Sequence, residues 1–152
     1  MEICRLPIKP YGRNCPVNMT LKNPDFARGV ELFNHAHFFD AHEVLEDLWR
    51  PLPRDAPLRR HLQGMVQLAV AFHHESTGNY VGARSVLARA LRNLDGAENS
   101  FPHVDLDRLR AELELWLRYL IRPPDTDKKH SRSGLDVRRE AVPPMPRILA
   151  RS

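Results

Sequence analysis

Through most of the chain apolar residues return every three or four positions, and the stripes they form predict five helices. Asn23-Pro24 opens the first, an N-cap candidate followed by proline at the first helical position, and Phe26, Val30 and Phe33 supply its face. A short turn near His37-Phe38 leads to a second helix, opened by Asp40 and stopped by "RPLP" at Pro51. The third spans roughly 56–76, with Leu58, Leu62, Met65, Ala69 and Phe72 on one stripe. The fourth follows "TGNY" and runs to about Asp95, where Gly96 is the C-cap candidate. The fifth starts near Asp105 and aligns Leu106, Leu109, Leu113, Trp116, Leu117 and Leu120. No strand alternation competes with these stripes. The pattern predicts an all-α domain, a compact bundle of about five helices built from helical hairpins.

A weak internal repeat runs at an offset of 42 residues, pairing Phe38 with Tyr80, Ala41 with Ala83, Leu45 with Leu87 and Trp49 with Leu91. Its second copy, Gly78-x-Tyr80-x-x-Ala83, looks like half of a tetratricopeptide repeat. Any tight helical hairpin makes the same demands: glycine for the turn, an aromatic at the crossing, and alanines where two helices approach closely. A hairpin without repeat ancestry is the favoured reading, since a working array needs at least three copies.

The ends differ from the middle. Residues 1–22 form an irregular, proline-broken leader, 23–122 the helical domain, and 123–152 a disordered basic tail whose closing "PRILARS" could dock onto something. Residues 1–22 carry four Lys/Arg and one acid, 123–152 seven and four, and the domain 12 and 14. The overall net charge of +4 therefore belongs to the ends, and a mildly acidic core argues against a dedicated nucleic-acid groove. The longest apolar run, around "MVQLAVAF", is too short to span a bilayer, and the leader lacks the apolar region of a signal peptide. Cys4 and Cys15 both lie in the leader, where they build neither a disulfide framework nor a cysteine zinc site. A cytoplasmic protein is the simplest expectation.

The stretch "HEVLEDLW" carries the candidate chemistry. It starts like the zinc-hydrolase motif H-E-x-x-H, but Glu46 stands where the second histidine belongs, which removes that mechanism. No E-x-x-H of the di-iron bundle type, no G-x-S-x-G and no glycine-rich phosphate loop occurs, so covalent catalysis has no visible nucleophile. His42, Glu46 and Trp49 stand at i, i+4 and i+7 and share one helical face. If that face points into the bundle, neither polar group can go unpaired, because a buried unsatisfied one costs about 1–3 kcal/mol. The two could satisfy each other, reach polar groups on the third helix, or share a metal; an exposed i,i+4 pair is the remaining reading. Gln63, Gln67, His73 and His74 are the polar candidates on that helix, with about 100° separating the two histidines. Asp40 and Glu43 read best as a D-x-x-E capping box, Gln63 and Gln67 as satisfied core amides, and both tryptophans as packing. His61, His103 and His130 carry no signal in the sequence, and His35 and His37 fall at a solvated turn.

With these residues in hand, "LFNHAHFFDAHEVLEDLW" followed by "LQGMVQLAVAFHHESTGNYVGARSVLARAL" resembles the uncharacterised prokaryotic family called domain of unknown function 309. The likeness rests on H-x-x-x-E-x-x-W, matched by His42, Glu46 and Trp49, and on an L-Q-G with a histidine ten residues on. It covers residues 26–95 well and 105–121 loosely, and leaves both ends unmatched. The resemblance implies a small helical bundle and a metal-binding role for the motif. Carried over by position, the candidates are His42, Glu43, Glu46, Trp49, Gln63 and His73. Asp40 departs from the glutamate expected there, and its shorter reach weakens any ligand role.

Two functions follow as expectations. In the first, helices two and three form a metal or small-molecule site: His42, Glu46 and His73 are its inner ligands, Gln63 orients them, Glu43 and Trp49 support them, and a bound ion would be Zn, Fe(II) or Mn. In the second, the hairpins form a non-catalytic interaction module for a protein partner or a second copy of the chain.

Overall fold

The computed structural model describes residues 15–121 and 141–152. Five helices follow one another: α1 (Pro24–Asn34), α2 (Phe38–Trp49), α3 (Pro57–Ser76), α4 (Tyr80–Asn93) and α5 (Leu106–Ile121). Each packs on the next in the chain, and among the described residues the only β pairing is an isolated antiparallel bridge, Val104 to Ala150. No described helix is long and apolar enough to cross a membrane.

Asn23 caps α1 through its side-chain oxygen, which accepts from the Asp25 and Phe26 amides. Asn79 does the same for α4 at Gly82, and Asp105 for α5 at Arg108. Helix α2 starts differently from the expectation. It opens at Phe38 with His37 at the N-cap position and no side-chain cap, so Asp40 sits inside the first turn. The D-x-x-E capping box is therefore not formed, and Glu43 is an exposed residue well within the helix.

The reason lies in how α1 ends. The Ala36 amide donates to Phe33 O and the His37 amide to Leu32 O, the two bonds of a Schellman turn, with Ala36 in the left-handed region at φ 62°. The turn between α3 and α4 repeats it: Gly78 (φ 79°) donates to Glu75 O and Asn79 to His74 O. Ala36 and Gly78 stand 42 positions apart, so the weak repeat is a repeated hairpin turn. At Ala36 the conformation costs on the order of 1 kcal/mol that glycine would not incur. Ala41, Ala83, Leu45 and Leu87, the paired positions after each turn, are all fully buried.

Close approach of the helices depends on two other glycines. A Cβ at Gly29 would come within 2.8 Å of the Leu45 side chain, and one at Gly64 within 2.9 Å of Leu94 and 3.3 Å of Ala90 O. At the centre, Phe72 of α3 meets Phe33 of α1, Phe38 of α2 and Trp116 of α5, with ring centroids 5.3–5.8 Å apart.

The chain ends add contacts that the sequence reading left open. Residues 123–152 were expected as a disordered tail, and 122–140 lie outside the described residues. Residues 144–151, however, lie against the bundle: Ile148 is buried and the segment exchanges main-chain bonds with His103 and Asp105. At the other end the Met19 amide donates to Ser100 O at 2.7 Å, and Met19 is buried too.

Ser100 also holds a histidine that the sequence left without a signal. His61 of α3 is buried and its Nδ1 lies 2.6 Å from Ser100 Oγ. Burial is the main force pushing its pKa down, reinforced by the positive charges of Arg60 and Arg110. A histidine depressed in the fold contributes stability that is complete above the unfolded value near 6.5 and is lost as pH falls from there through the folded pKa. Melting temperatures across pH 7 to 4 should therefore show an acid-side loss that His61→Gln reduces. An identical pH profile for the variant would refute this role.

Candidate functional site

Helix α2 buries Phe38, Ala41, Leu45 and Leu48, and the residues flanking that stripe set the site. His42 and Glu46 fall at its border, where their side chains keep 28% and 24% of their exposure. They are neither core groups nor free surface groups. His42 Nε2 lies 3.1 Å from Glu46 Oε2, while Glu46 Oε1 accepts from Arg50 Nε at 3.2 Å and Nη2 at 2.9 Å. Both carboxylate oxygens are thus engaged along one helix, in a His42–Glu46–Arg50 ladder at i, i+4 and i+8. The hydrogen bond and charge of Glu46 raise the pKa of the Arg50 guanidinium.

Beside the ladder stands Phe39, 54% exposed although the adjacent Phe38 is buried. Its ring centroid is 6.3 Å from the His42 ring and 5.8 Å from that of His73 on α3. Phe39 thus neighbours both imidazoles. His73 and His74 are both partly buried, and His74 Nδ1 lies 3.2 Å from Asn79 Nδ2 at the head of α4.

The other end of the face is built around Trp49. The Arg59 guanidinium lies 4.3 Å from the Trp49 ring centroid. Its Nη1 also donates to three carbonyls at the end of α2: Trp49 at 3.2 Å, Arg50 at 3.1 Å and Leu52 at 2.5 Å. The Trp49 Nε1 is buried with no hydrogen-bond partner among the described residues, whereas Trp116 Nε1 donates to Pro144 O.

The expected ligand set is placed as follows. His42 and Glu46 are in contact, and His73 reaches the site only as a neighbour of Phe39. Among the described residues no three His, Cys, Asp or Glu side chains lie close enough to hold a metal ion. Gln67 turns to α4, where its Oε1 accepts from Asn93 Nδ2, and no hydrogen bond among the described residues joins Gln63 to His42 or Glu46. Glu43 points away from the ladder's contacts and is exposed. Sequence reasoning missed Phe39, Arg50 and Arg59. The i,i+4 spacing of Glu46 and Arg50 was an available signal for one of them.

The fold and this face define a class: a small all-α hairpin bundle with a His-Glu ladder and an exposed aromatic on its second helix. Residues 26–86, which run from α1 to the middle of α4, match the model of the family described as Domain of unknown function (DUF309). The resemblance read from H-x-x-x-E-x-x-W therefore holds over the segment that contains the motif. The chain is also 34% identical over 86 residues to the uncharacterized protein YpuF of Bacillus subtilis, covering 57% of this chain and 48% of that one. It is 28% identical over 95 residues to an uncharacterized protein of Aquifex aeolicus, covering 61% of this chain and 28% of the relative. The chain thus spans less than half the length of these curated relatives.

Proposed function

We propose that this chain is a non-catalytic helical-hairpin module that docks a protein partner on the α2–α3 face. Phe39 is the observation that carries the reading. An aromatic 54% exposed, next to two imidazoles on different helices, is the pattern of a contact anchor rather than of packing. The partner that fits offers an apolar recess for Phe39, ringed by hydrogen-bond acceptors within reach of His42 and His73. The ladder supports binding more than turnover, since Glu46 already has both oxygens engaged.

A second reading has one observation in its favour. His42 Nε2 and Glu46 Oε2, 3.1 Å apart, form a two-donor i,i+4 pair suited to Zn, Fe(II) or Mn, whose other ligands would have to come from water or a partner. His73 would then be a neighbour of the site and not a ligand.

A photoreactive phenylalanine analogue at position 39, with one at position 84 on α4 as control, separates the readings in the native host. The expected result is one protein adduct at 39 and none at 84. The purified partner should then bind Phe39→Ala about tenfold more weakly or worse, at unchanged melting temperature. Absence of an adduct overturns the docking reading. Near-stoichiometric metal in native protein, lost in His42→Ala, would replace it with the metal reading.

A further inference from the structure

The last residues of the chain lie in a groove bounded by the end of α1, one face of α5 and the loop 103–105, and the way they are held is informative. Among the described residues, six hydrogen bonds join this segment to the bundle. Asn34 uses its whole carboxamide on one residue, its Oδ1 accepting from the Ile148 amide at 2.8 Å and its Nδ2 donating to the Ile148 carbonyl at 2.9 Å. Glu112 Oε2 accepts from the Arg147 amide at 3.1 Å, and Trp116 Nε1 donates to the Pro144 carbonyl at 2.9 Å. The remaining two are main chain to main chain, Asp105 N to Leu149 O and Arg151 N to His103 O. Every one of these bonds ends on a main-chain atom of the segment. None uses one of its side chains.

Side chains enter only by alternation. Met145 and Arg147 are exposed while Pro146 and Ile148 are buried, the period of two that extended chain imposes, and it ends at Ala150, which is exposed. Main-chain bonds supply affinity without regard to sequence, and pockets for alternate side chains supply the selection; this is how proteins bind extended peptides along an edge. Asn34 is well placed for such reading, because an amide that donates and accepts at one residue fixes both the register and the direction of the bound chain.

We infer that this groove is a peptide-recognition site, filled in the structure by the chain's own residues 144–151 and able to take an extended segment of another protein with a buried proline and isoleucine two positions apart. The resident segment is an intramolecular competitor. Tethered to α5, it meets the groove at an effective concentration on the order of mM, so a free peptide of equal intrinsic affinity is largely excluded until the tail leaves. The site is separate from the α2–α3 face, and neither depends on the other.

The test uses the full-length Ile148→Asp chain, whose own tail loses its buried anchor, and a fluorescent peptide of residues 141–152 followed by anisotropy. The peptide should bind this variant at least tenfold tighter than it binds the wild-type chain. The same peptide carrying Ile148→Asp should not bind, and adding Asn34→Ala to the protein should weaken binding again. A folded Ile148→Asp chain that ignores the peptide overturns the inference and makes the tail a fixed part of the fold. Should Ile148→Asp unfold the chain, a protease site inserted between 122 and 140 in the wild type gives the answer. After cleavage the resident tail should exchange with excess labelled peptide on a sizing column, and a tail that never exchanges overturns the proposal.

Discussion

Phe72→Ala should destabilise the domain by about 3–5 kcal/mol, the usual range for removing a buried phenylalanine and leaving a cavity. The upper end is expected. Phe72 is 1% exposed and touches an aromatic from each of α1, α2 and α5, two of them edge-to-face: Phe33 at 5.8 Å and Trp116 at 5.3 Å. Such pairs are worth about 0.5–1.5 kcal/mol each beyond area burial. Collapse around the hole is limited, because the four helices reach their positions through different neighbours and cannot close on one point together. Chemical denaturation monitored by circular dichroism should give the loss at unchanged slope, with a melting temperature lower by roughly 10–20 °C. Phe72→Leu, which keeps most of the volume, should recover more than half. A loss below about 2 kcal/mol would mean that Phe72 is not the central contact between the helices.

The five helices were legible because each carries its own apolar stripe, and a stripe of that period has one way to be buried. Phe26, Val30 and Phe33 on α1, and Leu58, Leu62, Met65, Ala69 and Phe72 on α3, are all buried as the spacing required. The start of α2 was not legible in the same way. Side-chain caps announce themselves through Asn, Asp, Ser or Thr, and Asp40 supplied a false one. The turn that sets α2 is made by main-chain bonds around Ala36, a residue with no special preference for the left-handed region. The repeat did hold the clue, since Ala36 falls where the second copy has Gly78.

That "PRILARS" could dock was legible, but where and how it docks was not, for a related reason. Recognition through main-chain atoms leaves almost no mark in the sequence, and the two residues that do select, Pro146 and Ile148, are too few to establish a period. The face of His42, Glu46 and Trp49 was read correctly as one face. Its direction was not legible, because i, i+4 and i+7 fix which residues align but not whether the stripe points to the core or borders it. The structure puts it at the border, so the polar pair needs no partner from α3, and Glu46 finds one in Arg50 on its own helix. What holds the motif's tryptophan is an arginine inside "LRRHLQG", and nothing in that string distinguishes Arg59 from Arg60.

Arg59 carries the other large effect. Arg59→Met keeps the length of the stem but removes the charge, and should cost about 2–4 kcal/mol. One Nη1 donates to the carbonyls of Trp49, the last residue of α2, and of Arg50 and Leu52 in the turn that follows it. Hydrogen bonds from a charged donor contribute about 1.5–3 kcal/mol, and a cation on a tryptophan face about 0.5–2 kcal/mol more. All of these depend on one side chain, so they do not add in full, which sets the upper limit. Arg59→Lys should restore less than half. An ammonium keeps the charge near the negative end of the helix dipole, but it cannot lie flat on the indole while donating to the carbonyls. Unfolding free energies of Arg59→Met, Trp49→Phe and the double variant Trp49→Phe/Arg59→Met complete a double-mutant cycle, in which a coupling of about 0.5 kcal/mol or more between positions 49 and 59 is expected. A lysine variant as stable as the wild type would reduce Arg59 to a simple point charge. The outcome also bears on the docking proposed for the α2–α3 face, because Arg59 bonds to the end of the helix that carries Phe39, His42 and Glu46. If that proposal holds, Arg59→Met should weaken binding of the captured partner although the arginine lies at the opposite end of α2 from Phe39.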